Sequence, residues 1–386
     1  MALLGMMGAD TGDVLSWWRT GGTVTANYTT DKFDGLYSFR CHPTTTAVGY
    51  CCVGIIIAAG TLSINAGQVQ TCFSAKIKIP VLPAANHEQV MGIAVSTLVP
   101  ELSVVVTSAG KLQIRGPAGA QIGSNSSVTV STGSWYTLAL GYIHSTTTVT
   151  LHVDGTQEIS ATHSGTVANM DVGWCGKLTD MNGQTIEVLV DLAAWGNAVG
   201  DRVDPAAVMS LIVANGDSVN NWTGGFADVD EVPQDGDTSY VEILASVGEL
   251  PETFTLQNAA DGTVAINAGS TITALMGEII CRRGAAGSGG YVRVTSGATN
   301  SDSTLLADYP TTYTIGSAQD RMLVTDPDTG VAWTVSGVDG VIVGPVSENL
   351  GSIRCTAVRA HVLFVPAAAG GTILPQMMQH GLYASG

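Results

Sequence analysis

The sequence predicts an all-β protein, on three observations. Charged residues make up only 12% of the 386 residues, about half of the share in an average soluble protein. Glycine contributes 47 residues, and short β-type stretches alternate with segments rich in Gly, Asn and Ser, as strands and turns do. Long surface helices would need more Lys, Glu and Arg. The composition therefore favours strands joined by frequent turns.

The best-defined element is a predicted β-hairpin. Its first strand covers Trp135–Tyr142, and its second alternates apolar and polar residues over Val149–Asp154. Since successive side chains of a strand point to opposite faces, His152 is expected on the solvent face. Asp154-Gly155 follows and suits a tight hairpin turn.

Further strands surround this hairpin, and a spacing of about ten or eleven strands over some 200 residues is typical of sandwiches and barrels. They are predicted at 14–18, 35–41, 49–58, 70–79, 89–95, 102–106, 111–115, 127–130 and 186–195. A helix is predicted over 205–214, because Asp204 suits an N-cap, Pro205 suits the first helical position and Asn215-Gly216 is a stop signal.

Two β units are predicted along the chain. Residues 1–215 form the first unit, and 216–237 form a linker rich in Asn, Asp and Gly. Residues 238–365 form a second β-sandwich-like unit, in which 331–343 is expected to be a hairpin with its turn at Asp339-Gly340. Residues 366–386 contain no Asp, Glu, Lys or Arg and are expected to be a tail, or an arm that packs on a partner.

Bulk charge and cysteine content limit the classes of partner. The net charge of −17 argues against nucleic acid and against anionic membrane surfaces. The seven cysteines form no CxxC pair and are interpreted as buried, reduced thiols. The N-terminus has no signal-peptide pattern, and the longest apolar run, 50–60, is about half of a membrane span.

The first unit resembles the concanavalin A-like jelly-roll group in its laminin-G-like form. The matching stretches are Phe33–Phe39, Trp135–Tyr142, Val149–Gly155 and Val190–Asn197. Trp195 and Asn197 match the end of the family's last core strand, whereas Ala194 stands where the family often has a basic residue. The resemblance implies an N-terminal jelly-roll β-sandwich.

The second unit resembles a domain of tailed-bacteriophage structural proteins, through Val229–Thr238, Asp326–Thr334 and Cys355–Phe364. This resemblance implies a non-enzymatic virion structural protein (capsid decoration, fibre or tail-associated) that acts by protein–protein docking. We expect a homo-oligomer that contacts other virion proteins and is made in the host cytoplasm without an export signal. The alternative is a carbohydrate-binding attachment protein that recognises host surface glycans.

No catalytic residue is predicted. The nearest carboxylate pair is Glu187 and Asp191, which four residues of extended strand separate by roughly 13 Å. Glycosidases need closer carboxylates, so the two are expected to be an edge acid and a turn acid. Neither a GxSxG nor an HExxH motif occurs, and no glycine-rich phosphate loop is found.

No cofactor and no metal site are predicted either. Calcium is the one metal that the laminin-G resemblance makes conceivable, at Asp171 and at 180–183, but neither cluster supplies the six to eight oxygen ligands that calcium prefers. Aromatic faces suit sugar rings, and the candidate exposed aromatics are Trp17, Trp18 and Trp222. Trp222 is also expected to anchor the two units. The core tryptophans are expected to be Trp135, Trp195 and Trp333.

Overall fold

The computed structural model describes residues 3–8, 18–20, 23–28, 38–42, 51–56, 70–95, 99–117, 119–164, 172–179, 184–196, 207–230, 235–244, 248–261, 266–313, 320–348, 351–365 and 367. Over these residues the chain is almost entirely β, which confirms the predicted class. A 3-10 turn at Phe226–Asp228 and the short helix α1 (Val335–Asp339) are the helical elements of this part of the chain.

The first fifteen strands are β1 (Leu3–Gly8), β2 (Trp18–Thr20), β3 (Thr23–Tyr28), β4 (Ser38–His42), β5 (Cys51–Ile56), β6 (Gln70–Val81), β7 (His87–Ala94), β8 (Pro100–Thr107), β9 (Leu112–Arg115), β10 (Gln121–Ile122), β11 (Trp135–Ile143), β12 (Thr148–Val153), β13 (Thr156–Thr162), β14 (Val172–Lys177) and β15 (Glu187–Gly196). The others are β16 (Ala207–Val219), β17 (Val241–Ile243), β18 (Leu250–Pro251), β19 (Thr253–Leu256), β20 (Thr271–Arg283), β21 (Gly290–Ser296), β22 (Thr299–Asp302), β23 (Asp320–Leu323), β24 (Ile342–Ser347) and β25 (Ile353–Val365).

These strands form three antiparallel sheets. Sheet 1 has the order β13-β12-β11-β6-β15-β4-β3, with β1 also paired to β15, and sheet 2 has the order β10-β9-β8-β7-β14-β5-β2. Sheet 3 has the order β22-β21-β24-β19-β16-β25-β20-β23, with β17 on β25 and β18 on β24. Non-consecutive neighbours in sheets 1 and 2 show crossovers between the two layers, as a jelly roll requires.

Sheets 1 and 2 pack face to face around one hydrophobic core. Every second residue of the central strands enters this core, for example Phe73, Ala75 and Ile77 of β6. Phe73 and Trp195 meet in its centre with ring centroids 5.5 Å apart. The predicted hairpin is present as β11 and β12. Asp154 and Gly155, which connect β12 to β13, have φ angles of 47° and 80°, as a type I′ turn requires.

Sheet 3 is one continuous sheet that folds back on itself. The second unit was predicted to be sandwich-like, and its two facing layers belong to this single sheet. Its two ends, around β20 and β25 on one side and β21 and β24 on the other, enclose a second core. At Gly277 of β20, an added Cβ would come within 2.4 Å of Val294 of β21. The predicted second β unit is therefore confirmed as an all-β body with its own core.

The predicted helix over 205–214 is wrong, because these residues belong largely to strand β16. Its Ala207–Ile212 stretch pairs with β25, and Val213 pairs with Leu256 of β19. Leu211 and Val213, two residues apart, both enter the core of sheet 3. The helix signals at the two ends were outweighed by β-branched side chains that find strand partners far along the chain.

The predicted linker contributes to the same body over its described part. Val219 still belongs to β16, and Trp222 and Val229 are buried in the core of sheet 3. The domain boundaries as such stay a prediction, and the predicted tail 366–386 lies outside the described residues apart from Ala367. The predicted hairpin at 331–343 is wrong, because α1 occupies its middle, with Thr334 accepting a capping bond from the Gly337 N–H at 3.0 Å.

Strand β15 joins the two bodies, because both of its faces are buried. Val190 and Trp195 face the jelly-roll core, whereas Leu192 and Ala194 face sheet 3. There they pack with Ala274, Met276 and Leu363 of β20 and β25. A strand covered on both sides is expected to be largely apolar. All ten residues of β15 are buried, and Glu187 and Asp191 are its only charged ones.

A charged cluster lies on the same outer face of sheet 3. Arg359 donates from Nε to Glu278 Oε1 at 2.5 Å, and the ring of His361 bridges Glu278 (3.4 Å) and the Ser210 hydroxyl (2.9 Å). Burial opposes the charge of Glu278, but the charges of Arg359 and His361 outweigh it and hold the pKa of this carboxyl at about 2. Asp320 stands directly opposite Glu278 on β23, so two carboxylates face each other across the strands.

Gly173→Ala should destabilise the protein by about 1–3 kcal/mol or more, because core packing leaves no room for a methyl group there. An added Cβ would lie 2.4 Å from the Phe73 ring and 2.6 Å from Trp195. Gly133→Ala is the matched control, since a Cβ added at that position would have no neighbouring atom within 4 Å. Urea denaturation of both variants gives the comparison, and equal midpoints would contradict this account of the core.

Asp320→Asn should stabilise the protein at alkaline pH. Burial, with the charge of Glu278, raises the pKa of Asp320 from 3.8 to about 7. The cost of ionising this carboxyl in the folded state is therefore absent below pH 3.8, grows between pH 3.8 and 7, and is complete above pH 7. The gain in unfolding free energy should be roughly 2–4 kcal/mol at about pH 8 and should vanish towards about pH 4.

Urea titrations at several pH values measure this difference. Asp261→Asn, a change of the same charge at an exposed position, serves as the control. A variant at position 320 that is no more stable than the wild type at about pH 8 would contradict the raised pKa of Asp320.

Candidate functional site

The outer face of sheet 1, which points away from the jelly-roll core, passes from a covered part to an open part. In the covered part, one row of buried residues crosses four strands; it consists of Ala194, Ser74, Ala139 and His152.

A parallel row lies two rows away on β4, β15, β6 and β11, and it consists of Arg40, Leu189, Lys78 and Trp135. We call this second row, with Glu187 and His42, the sheet-1 row.

Trp135 is half-buried and belongs to the outer face, so its prediction as a core residue is wrong. Tyr136 and Leu138 of the same strand contact the core, and the period of two places Trp135 on the other side. It stands directly opposite Lys78, a position from which cross-strand side chains meet. The row thus places an indole side chain and a lysine side chain at directly opposite positions.

Arg40 is fixed by a bidentate ion pair with Glu187. Its Nε and Nη2 donate to the two carboxylate oxygens at 2.7 and 3.0 Å, and His42 Nδ1 lies 3.2 Å from Glu187 Oε2. The Arg40 side chain is 33% exposed and that of His42 is 42% exposed, but Glu187 is 10% exposed. Glu187 therefore holds the partly exposed Arg40 guanidinium in place, and His42 lies beside the same carboxylate.

The row has a positive excess in a strongly acidic chain. Arg40 and Lys78 outnumber the single carboxylate Glu187, and Lys76 of the neighbouring row is buried on the same face. Across the four strands the row is about 14 Å wide. Such an arrangement can bind an extended polar ligand by stacking on the indole and by charge-assisted hydrogen bonds.

Sequence reasoning missed Arg40, His42 and Lys78, although a signal was present. Phe39 and Cys41 point inward, as do Ile77 and Ile79, so the polar residues between them must share the opposite face. The separation between β4 and β6 in the sequence hid the fact that one strand, β15, lies between them.

The predicted exposed aromatics do not form a site in the described part of the chain. Trp222 is 5% exposed and donates from Nε1 to Leu250 O at 3.2 Å, which corrects its prediction as an exposed contact residue. Trp17 and the side chain of Trp18 lie outside the described residues. Trp195 and Trp333 are buried as predicted, with 0% and 4% exposure.

The predicted roles of Glu187 and Asp191 are also wrong. Both lie within β15, a central strand, so neither is an edge or turn acid. Glu187 is bound by Arg40, and Asp191 is 1% exposed. His152 is on the predicted outer face but is only 8% exposed, because that part of the face is covered.

The positions considered for calcium, Asp171 and 180–183, lie outside the described ranges. Within those ranges, no three His, Cys, Asp or Glu side chains are grouped so as to hold a metal ion. The described helices include none with the length and apolar character needed to cross a membrane. The side chains of six cysteines are described, and all six are buried thiols.

Comparison with known proteins gives a likeness of fold. Neither a protein-family model nor a curated protein sequence matches this chain. Among solved structures, the cellulose-induced protein Cip1 is similar at 15% identity and a TM-score of 0.39, over 48% of this chain and 93% of Cip1. A sialidase has 11% identity and a TM-score of 0.37, over 50% of this chain and 18% of its own. The alginate lyase AlgAT5 from polysaccharide lyase family 7 has 12% identity and a TM-score of 0.35, over 47% and 95%.

These comparisons correct one prediction and leave others open. The prediction that the protein is not an enzyme is wrong as an inference from this architecture, because the similar structures include a sialidase and a lyase. Because the identities are only 11–15%, neither the reaction nor the substrate of these proteins can be assigned to this chain. The placement in a bacteriophage virion and the homo-oligomer stay predictions. The chain is an all-β protein with an N-terminal jelly-roll β-sandwich.

Proposed function

We propose that this protein binds carbohydrate on the outer face of sheet 1, as an attachment protein for glycans of a cell surface. The single observation that carries the proposal is the sheet-1 row, in which the half-buried Trp135 stands opposite Lys78 at one end and Arg40, held by Glu187, lies at the other. An indole ring offers an apolar surface to a sugar ring, and Arg40 and Lys78 offer hydrogen bonds to hydroxyl groups.

The geometry favours a chain of sugars over a single one. The row crosses four strands of a sheet, and its ends carry different groups: Trp135 and Lys78 at one end, Arg40 and His42 at the other. A ligand lying across the strands would meet both ends at once. Glu187 keeps Arg40 in place before binding, which reduces the entropy cost of association.

Trp135→Ala should weaken glycan binding roughly tenfold or more, equivalent to about 1.4 kcal/mol. The measurement is an array of bacterial envelope oligosaccharides followed by titration calorimetry on the best ligand. Lys78→Gln is the milder second variant, and it should weaken binding without removing a packed ring.

Phe226→Ala is the matched control, because Phe226 is 37% exposed in another part of the chain. Thermal unfolding of each variant separates lost binding from lost folding. If the wild type binds no glycan at millimolar concentration, or if Trp135→Ala binds as well as Phe226→Ala, the proposal fails.

A further inference from the structure

Two arginines face each other on the outer face of sheet 3. Arg282 of β20 and Arg354 of β25 occupy directly opposite positions in the strand register. The neighbouring Cys281 and Cys355 enter the core, so both guanidinium groups point away from it. Like charges directly opposite each other on a sheet repel, so the pair needs a neutralising anion nearby.

The anion in this structure is a carboxylate of the chain itself. Asp237 Oδ1 accepts from Arg282 Nη2 at 2.6 Å, from Arg282 Nε at 3.1 Å and from Arg354 Nη1 at 3.3 Å. The Tyr313 hydroxyl donates to the same oxygen at 3.1 Å. Four donors thus converge on one oxygen atom of Asp237. A carboxylate that lay in the plane of the two guanidinium groups could instead give one oxygen to each arginine, which is the better geometry.

Asp237 is the exposed partner in this contact. Its side chain is 55% exposed, against 17% for Arg282 and 27% for Arg354. The arginines are held independently of it, since Arg354 Nε donates to Glu242 at 2.9 Å and Arg282 Nη1 donates to Arg283 O at 3.2 Å. The cationic groups would therefore keep their positions if Asp237 moved away.

The loop that carries Asp237 is fixed on either side of that residue. Asp235 accepts from the Ser239 N–H at 3.2 Å, and the buried Thr356 hydroxyl donates to Gly236 O at 2.9 Å. The Asp237 carboxylate can therefore leave the arginine pair by rotating about its own side-chain bonds, without unfolding the loop.

Two tyrosine rings complete the surroundings. The Arg354 guanidinium lies 4.4 Å from the centroid of the Tyr240 ring, and that of Arg282 lies 5.3 Å from the Tyr313 ring. A ligand that joins a carboxylate to a ring with an apolar face would contact the guanidinium groups and an aromatic ring together.

We propose that Arg282, Arg354 and Tyr313 form a binding site for the carboxylate of an acidic sugar of the hexuronate class, and that Asp237 fills this site until such a sugar displaces it. The site lies on sheet 3 and does not depend on carbohydrate binding at the sheet-1 row. Asp237 acts as an internal competitor, so its removal should strengthen binding.

The test is titration calorimetry of the full chain with glucuronate, with glucuronamide as the uncharged probe and acetate as the carboxylate without a ring. Asp237→Ala should bind glucuronate at least tenfold more tightly than the wild type. Neither protein should bind glucuronamide measurably, and acetate should bind at least tenfold more weakly than glucuronate. Tyr313→Phe, which keeps the ring, should weaken glucuronate binding severalfold in the Asp237→Ala background.

Two control variants separate binding at this site from a general change in charge and from binding at the sheet-1 row. Asp261→Ala removes an exposed negative charge elsewhere and should leave glucuronate affinity at the wild-type value. Trp135→Ala should also leave it unchanged, so that failure of the sheet-1 proposal and failure of this one give different results. Equal glucuronate affinity in Asp237→Ala and the wild type, or equal affinity for glucuronate and glucuronamide, would overturn the proposal, and so would acetate bound as tightly as glucuronate.

Discussion

The packing of strand β15 on both of its faces is the constraint on which the rest of the structure depends. Trp195 and Val190 complete the jelly-roll core, and Leu192 and Ala194 complete the contact with sheet 3. Apolar area removed from water supplies the stabilising free energy on both sides. Because the strand is central in sheet 1, a shift in its register by one residue would exchange the two faces and disrupt both contacts.

The same contact decides where polar groups can be used for binding. Polar residues in the covered rows of sheet 1, such as Ser74 and Thr137, are buried, whereas the row of Arg40 and Lys78 lies beyond the covered part. Sheet 3 repeats this arrangement, since Glu278 and Arg359 are enclosed and Arg282 is partly exposed. On each sheet, the outer face is buried where the two bodies meet and partly exposed to solvent beyond that contact. A charged side chain in the exposed part has a smaller desolvation cost.

The sequence was sufficient for the class of fold and for strands β11 and β12, because these depend on local alternation, and for the tight turn to β13, because it depends on Asp154 and Gly155. It was insufficient for β16, because the strand identity of Ala207–Val219 depends on partners far along the chain in β19 and β25. The side of the sheet that Trp135 occupies could have been read from the period of two. The row that it completes could not, because strand order is a property of the whole sheet.

Two-sided burial of β15 also governs how the chain can be divided for expression. A fragment that ended near residue 215 would keep Leu192 and Ala194 but lose Ala274, Met276 and Leu363, which cover them. It would also keep most of β16 without its neighbours β19 and β25, leaving an open strand edge beside an apolar patch. Both features promote self-association. Soluble pieces of this protein must therefore retain β15, β20 and β25 in one polypeptide.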